Sequence, residues 1–232
     1  MKKLATMLMA TALLAVTVNA AFASNAVRIS QAYGGGGGSG YYLYDYVELY
    51  NSSNAAVTVG GDYLEYGSAS GNWASSVTNY YLIPAGTVIQ PCSYLLIQLG
   101  SAGTAGIALP VTPDLATTNL SMSQSAGKVA LFNALNSNVA CGSEVAGSLI
   151  DKVAWGSSTT CSETSPVGGT TNQQGVVRAL GGQTDTDNNS ADFTVVTDPV
   201  PHNSASAINS NGPCSVVPTL NKTWGSLKSI YR

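Results

Sequence analysis

Apolar and polar positions alternate along this chain in short runs. In Tyr46-Val47-Glu48-Leu49-Tyr50, Val47 and Leu49 fall on one face and Glu48 on the other, the period of two that marks a β-strand. Comparable runs occupy 27–33, 57–59, 63–66, 80–83, 87–89, 94–98, 128–132, 149–154 and 176–179. Turn formers separate them, among them Gly34 to Gly38, Gly60-Gly61-Asp62 and Pro84-Ala85-Gly86. Many short strands at close spacing predict an all-β sandwich of about seven to ten strands. Val47, Leu49, Leu64, Leu95, Ile97, Val129, Leu131, Ile150 and Val153 are its expected core. No segment of the domain at 24–204 sustains a helical period, and 100–116, 133–148 and 155–175 read as long loops of small residues.

The two ends depart from this pattern. Met1-Lys2-Lys3 is basic, 4–18 is uncharged and mostly apolar, and Ala21-Phe22-Ala23 is a small-x-small site. That order is a secretory signal peptide, with cleavage after Ala23, or alternatively after Ala20. The apolar run falls short of the roughly 20 residues a membrane span needs, and no later stretch reaches that length. The expected plan is a signal peptide at 1–23, a β-domain at 24–204, and a linker with a basic, aromatic tail at 205–232. In a helix, Trp224, Leu227 and Tyr231 would share one face, beside Lys222, Lys228 and Arg232. Such a tail suits a sorting or attachment signal or an interfacial anchor, and a disordered end is the competing reading. The chain is therefore expected to be secreted or held at a cell surface.

Charge is scarce. Asp, Glu, Lys and Arg make up 9% of the chain, against about a quarter in ordinary domains. Without Lys2 and Lys3, 7 basic residues face 12 acidic ones, a formal charge of −5. No basic patch is present, so nucleic acid is not an expected partner. Cys92, Cys141, Cys161 and Cys214 form no CxxC pair. In an exported chain an even number of cysteines predicts disulfides. Cys141 and Cys161 flank the strand at 149–154 and are expected to join, which leaves Cys92 to Cys214 by elimination.

Candidate chemistry is thin. His202 is the single histidine, and no Gly-x-Ser-x-Gly elbow accompanies it, so it reads as a surface-loop residue. Asp45 and Glu48 could be a hydrolytic carboxylate pair. Positions three apart on a strand face opposite ways, however, so they read as polar strand edges. The glycine run is followed by Ser39-Gly40-Tyr41-Tyr42 where a P-loop needs Lys-Ser or Lys-Thr. Eight of the twelve tyrosines lie between Tyr33 and Tyr66. Tyr41, Tyr42 and Tyr44 sit in a loop, where exposed rings could stack on sugars or anchor a protein, or could pack over the sandwich. Asp185, Asp187, Asn189 and Asp192 place three carboxylates and an amide within eight residues, a candidate calcium set. Against an EF-hand, Ser190 and Val196 stand where Gly and Glu are required, and a series of Asx-turns is the competing reading.

One ordered set of segments resembles the bacterial branch of the lamin-tail domains. It comprises Val27-Arg28-Ile29-Ser30-Gln31-Ala32-Tyr33 with its glycine run, and Asp45-Tyr46-Val47-Glu48-Leu49-Tyr50-Asn51. Pro84-Ala85-Gly86 before Tyr94-Leu95-Leu96-Ile97-Gln98 follows, then Gly127-Lys128-Val129-Ala130-Leu131 and Ile150-Asp151-Lys152-Val153-Ala154-Trp155-Gly156. Asp185-Thr186-Asp187-Asn188-Asn189 and Ala191-Asp192-Phe193 close a likeness that spans 26–204. Gly61-Asp62-Tyr63 departs from the family's usual Gly-Trp, and Tyr63 is expected in the core. The resemblance implies an immunoglobulin-like β-sandwich with no catalytic role, used as an interaction module. Two functional readings follow. One is a non-catalytic extracellular or structural module with a protein or cell-surface partner. The other is a carbohydrate-active protein, a lectin-like binder or weak hydrolase, using the loop of Tyr41, Tyr42 and Tyr44. Neither requires a cofactor, and calcium is the one candidate ion.

Overall fold

Backbone pairing in the computed structural model, which describes residues 26–37, 41–211 and 213, sorts the strands into two main sheets and a small ribbon. In chain order the strands are β1 (Val27–Tyr33), β2 (Asp45–Asn51), β3 (Val57–Thr58), β4 (Tyr63–Ser68), β5 (Tyr80–Leu82) and β6 (Val88–Ile89). Then come β7 (Tyr94–Leu99), β8 (Leu115–Ala116), β9 (Gly127–Phe132), β10 (Leu149–Trp155), β11 (Gln174–Arg178) and β12 (Phe193–Thr197). The larger sheet runs β12-β11-β1-β2-β7-β8, the smaller β10-β9-β4-β5, and β3 pairs with β6. All pairs are antiparallel except β7 with β8. The result is the all-β, immunoglobulin-like sandwich expected. The signal peptide and the tail residues Trp224, Leu227 and Tyr231 lie outside the described residues.

Every strand read from the sequence is present, and two more join them. β12 is the β-branched run Phe193-Thr194-Val195-Val196-Thr197, which lies beyond the last strand recognised from pattern. β8 has two residues, and only its register Ile97↔Leu115 against β7 makes it a strand. Four-residue helical turns at Ala179–Gly182 and Asn189–Asp192 are too short to show a period.

The inner faces meet in one core of Val27, Ile29, Ala32, Val47, Leu49, Leu64, Leu95, Ile97, Val129, Leu131 and Val153 with their neighbours. A bulge in β1 between Ile29 and Gln31 sends Ala32 inward opposite Val47 and turns Tyr33 outward opposite Tyr46. A second register shift, between Leu149 and Asp151, leaves Ile150 half-buried against the core rather than within it. Tyr63 also differs from expectation: it is half-buried beside Tyr80, ring centres 6.2 Å apart, and stands outside the core cluster.

The larger correction concerns the two carboxylates of β2. All seven residues of β1 and of β2 are buried, so Asp45 and Glu48 are interior groups and not polar strand edges. The chain after β12 covers Glu48, whereas the backbone at Gly36 and Met122 encloses Asp45. Tyr42 donates its hydroxyl to Pro199 O (2.9 Å), and Gln31 Nε2 donates to Val200 O (3.0 Å). Asn209 N donates to Cys92 O (3.0 Å), and Asn211 Nδ2 to Leu180 O (3.3 Å). Residues 205–211, assigned to a linker by sequence, are therefore fastened to the sandwich. Cys141 and Cys161 form the expected disulfide, joining the loops at either end of β10 with Cα atoms 5.6 Å apart. The other expected pair, Cys92 with Cys214, has Cys214 outside the described residues.

Candidate functional site

Three places concentrate polar chemistry. The first is a seam between the sheets. Arg178 of β11 is 1% exposed and reaches Asp151 of β10 at 2.6 Å, Asp185 at 3.3 Å and Asp192 at 3.8 Å. Its Nε donates to Ile29 O (2.8 Å), while Asp151 accepts Ile29 N (2.5 Å). Both peptide groups of Ile29, at the β1 bulge, are thus satisfied by the side chains of one ion pair. The guanidinium also lies over Phe193, 4.4 Å from the ring centre. Arg28 Nε holds the other oxygen of Asp185 at 3.1 Å. Glu163 accepts Asn189 Nδ2 (2.8 Å), and burial, with Asp151 adding to it, pushes its carboxyl up to about 8.

The second place is the covered outer face. Glu48 is 1% exposed and accepts Ser30 Oγ (2.6 Å), Gln31 Nε2 (3.2 Å) and His202 N (2.5 Å). His202 Nδ1 lies 3.2 Å from the same oxygen, and its ring stacks on Tyr94 at 4.6 Å. The hydrogen bond to Glu48 raises the His202 pKa against the opposing effect of burial. The loop histidine expected to be idle is therefore a clasp that holds the covering segment to the sheet. Tyr33 stacks on Tyr46 at 5.4 Å, and Tyr42 meets Tyr33 edge-on at 5.4 Å. Asp45, on the opposite face of β2 from Glu48, accepts Gly36 N (2.8 Å) and Met122 N (2.7 Å), and burial raises it to about 7 despite these donors.

The third place is an open cleft of about 380 Å³ beside the ends of β7 and β8. Tyr44, Gln98, Gly100, Ser101, Thr117 and Thr118 line it, completed by two alanines, and none carries charge.

These positions revise the expected sites. Tyr42 is 2% exposed and locked into the aromatic layer, so it cannot offer a free ring. Tyr41 packs edge-on against it at 4.6 Å, and Tyr44 alone of the three lines the cleft. The calcium set is split. Asp192 accepts Thr186 N (2.8 Å) and Thr186 Oγ1 (2.7 Å) as well as facing Arg178. Asn189 turns its amide oxygen to Ala154 N (3.1 Å) and Glu163 N (3.2 Å). Asp187 is exposed in a left-handed conformation, φ 55°. The acid–amide spacing serves side-chain turns and an arginine, because fixed guanidinium charge already answers the carboxylates. Elsewhere, oxygens of Asp151, Glu163 and Asp185 lie within 4.8 Å of one another, with the Arg178 guanidinium bonded to two of the three. Glu144 approaches Cys141 and Cys161, whose sulfurs are committed to the disulfide. Sequence reading missed Arg178, Asp151 and Glu163. For Arg178 and Asp151 the available signal was a charged residue inside an apolar strand of a chain with 9% charge, whereas Glu163 sits in a loop with no such signal.

The chain is an immunoglobulin-like module whose buried charges bind its own backbone. The chain belongs to the lamin tail domain family, whose model matches residues 20–157. Among solved structures, a DUF4876 family protein from Bacteroides thetaiotaomicron is similar at 12% identity and a TM-score of 0.48. That likeness covers 82% of this chain and 74% of that one. No curated protein matches the chain.

Proposed function

We propose that this protein is a non-catalytic, exported interaction module that binds a protein or other component of the cell surface. The observation that carries the reading is how its ionisable groups are distributed. Asp151, Asp185, Asp192 and Glu48 hold backbone and arginine or histidine partners, whereas the cleft is lined by uncharged residues. General acid–base chemistry most often uses a histidine, carboxylate or amine within reach of a bound substrate, and the cleft lining offers none of these, Tyr44 being its one titratable side chain. The Cys141–Cys161 disulfide fits an oxidising compartment. No helix among the described residues is long and apolar enough to cross a membrane.

The test is binding of labelled, disulfide-bonded protein to fragments of its own cell envelope, alongside turnover assays on glycosides, esters and phosphodiesters. Saturable binding without turnover is expected. Hydrolysis that co-purifies with the folded protein, or failure to bind any envelope fraction, defeats the proposal.

A further inference from the structure

We propose that the cleft beside Tyr44 is a binding site for a neutral polyhydroxylated ring, a sugar unit of a surface glycan. This rests on the interaction-module reading and names a ligand class for it. At about 380 Å³ the cleft falls in the range of small-molecule sites, roughly 300–1,000 Å³. Its frame is set before any ligand arrives. Gly100 N donates to Asn119 O (2.7 Å) and Thr117 N to Gln98 O (3.0 Å), tying the strand ends that form its sides. Gly100 itself has φ 70°, a backbone conformation that side chains resist.

The lining selects the chemistry. No Lys, Arg or His is present to hold an anion, and no Asp or Glu to hold a cation. A wholly apolar ligand would desolvate the Gln98 amide and the Tyr44 hydroxyl without replacing their hydrogen bonds. Both groups are half-buried, and neither hydrogen-bonds another side chain or backbone group among the described residues. A pyranose meets both demands, because its C–H face packs on an aromatic ring while its hydroxyls give to and take from amide and hydroxyl groups. Ser101, Thr117 and Thr118 add further hydroxyls around the same opening. Unlike Tyr42, Tyr44 makes no ring–ring contact among the described residues.

The experiment titrates the intact protein with glucose, galactose, mannose, N-acetylglucosamine, maltose and cellobiose, followed by amide NMR shifts, with glucuronate as the charged control. At least one neutral sugar is expected to shift the amides of residues 98–102 and 116–118, with millimolar affinity. Tyr44→Ala should weaken it about tenfold, while Tyr44→Phe, which keeps the ring, stays within about threefold. An unchanged spectrum elsewhere establishes that Tyr44→Ala is folded. The site is overturned if no neutral sugar shifts these amides, if Tyr44→Ala binds like the parent, or if glucuronate binds more tightly than the neutral sugars. It is also overturned if an envelope-derived peptide displaces nothing from the sugar panel yet shifts the same amides. Conversion of a sugar to products would instead defeat the non-catalytic reading and leave the cleft occupied.

Discussion

The seam around Arg178 and the cleft beside Tyr44 use polar residues in opposite ways. At the seam, three carboxylates surround one buried guanidinium, and two of the resulting bonds complete the backbone of Ile29. At the cleft, hydroxyls and an amide face an opening with no charge in its lining. A buried ion must be paired to be tolerated, so charge here is tied to the framework. Neutral polar groups can stay half-solvated without a partner, so they are what remains for recognition. The family match ends at 157, which places Asp151 inside it and Arg178, Asp185 and Asp192 beyond it.

The largest test of this contrast is Arg178→Met. It strands Asp151 in the interior, and urea unfolding should show a loss of about 3–5 kcal/mol. Adding Asp151→Leu should recover part of that loss, though not all, because Ile29 N then lacks an acceptor. Arg178→Lys should rescue little, since an ammonium cannot span Ile29 O, Asp151 and Asp185 together. A double variant no better than Arg178→Met alone would mean that the seam is not a charge pair in the energetic sense.

A second test compares two tyrosines two positions apart. Tyr42→Ala should destabilise by about 3 kcal/mol, because it empties a buried aromatic site and leaves Pro199 O only the longer bond from Tyr46. Tyr44→Ala should cost less than about 1 kcal/mol. Equal losses would make Tyr44 a packing residue and weaken its claim to face a ligand.

Next comes pH. Burial raises Asp45 and Glu65 to about 7, and a buried oxygen of Glu65 has no partner among the described residues. Folded carboxyls raised in this way keep protons that the unfolded chain has already released. The stability they carry is therefore present at low pH and lost as pH rises from about 4 to 7. His202, raised by its bond to Glu48, stabilises below its ordinary pKa and stops doing so as pH rises through the raised value. Both trends run the same way, so the thermal midpoint should be higher at pH 5 than at pH 8, by about 5 °C. Glu65→Gln imitates the protonated acid and still accepts Asn136 N, so it should flatten the trend by gaining about 1–3 kcal/mol at pH 8. A midpoint that climbs from pH 5 to pH 8 would contradict this account.

The smallest expected effect is that of calcium. With Asp185 and Asp192 already answered by arginine, exchanging EDTA for millimolar CaCl₂ should move the midpoint by less than about 1 °C. A larger rise, abolished by Asp187→Asn, would restore the calcium site.

By itself the sequence determined the sandwich, ten of its strands and most of its core. A period of two and turn-forming residues are local properties, and burial of one strand face follows from them for residues such as Val47, Leu49 and Val129. The Cys141–Cys161 bridge was legible for the same reason, as two cysteines at the ends of one strand. Only the tertiary structure decided the fate of the other face. Glu48 alternates with apolar neighbours as a solvent-facing residue would, yet the segment carrying Pro199 and His202 returns over it from more than 150 positions away. Arg178 and Asp151 are separated by 27 positions and a change of sheet, and they meet at Ile29 beside the bulge in β1. Tyr42 and Tyr44 look alike in one loop, and the aromatic layer of Tyr33 and Tyr46 with the covering segment at Pro199 makes the first interior, while the second lines the cleft. Local pattern reports which groups prefer water, whereas chain return and sheet register decide which of them keep it.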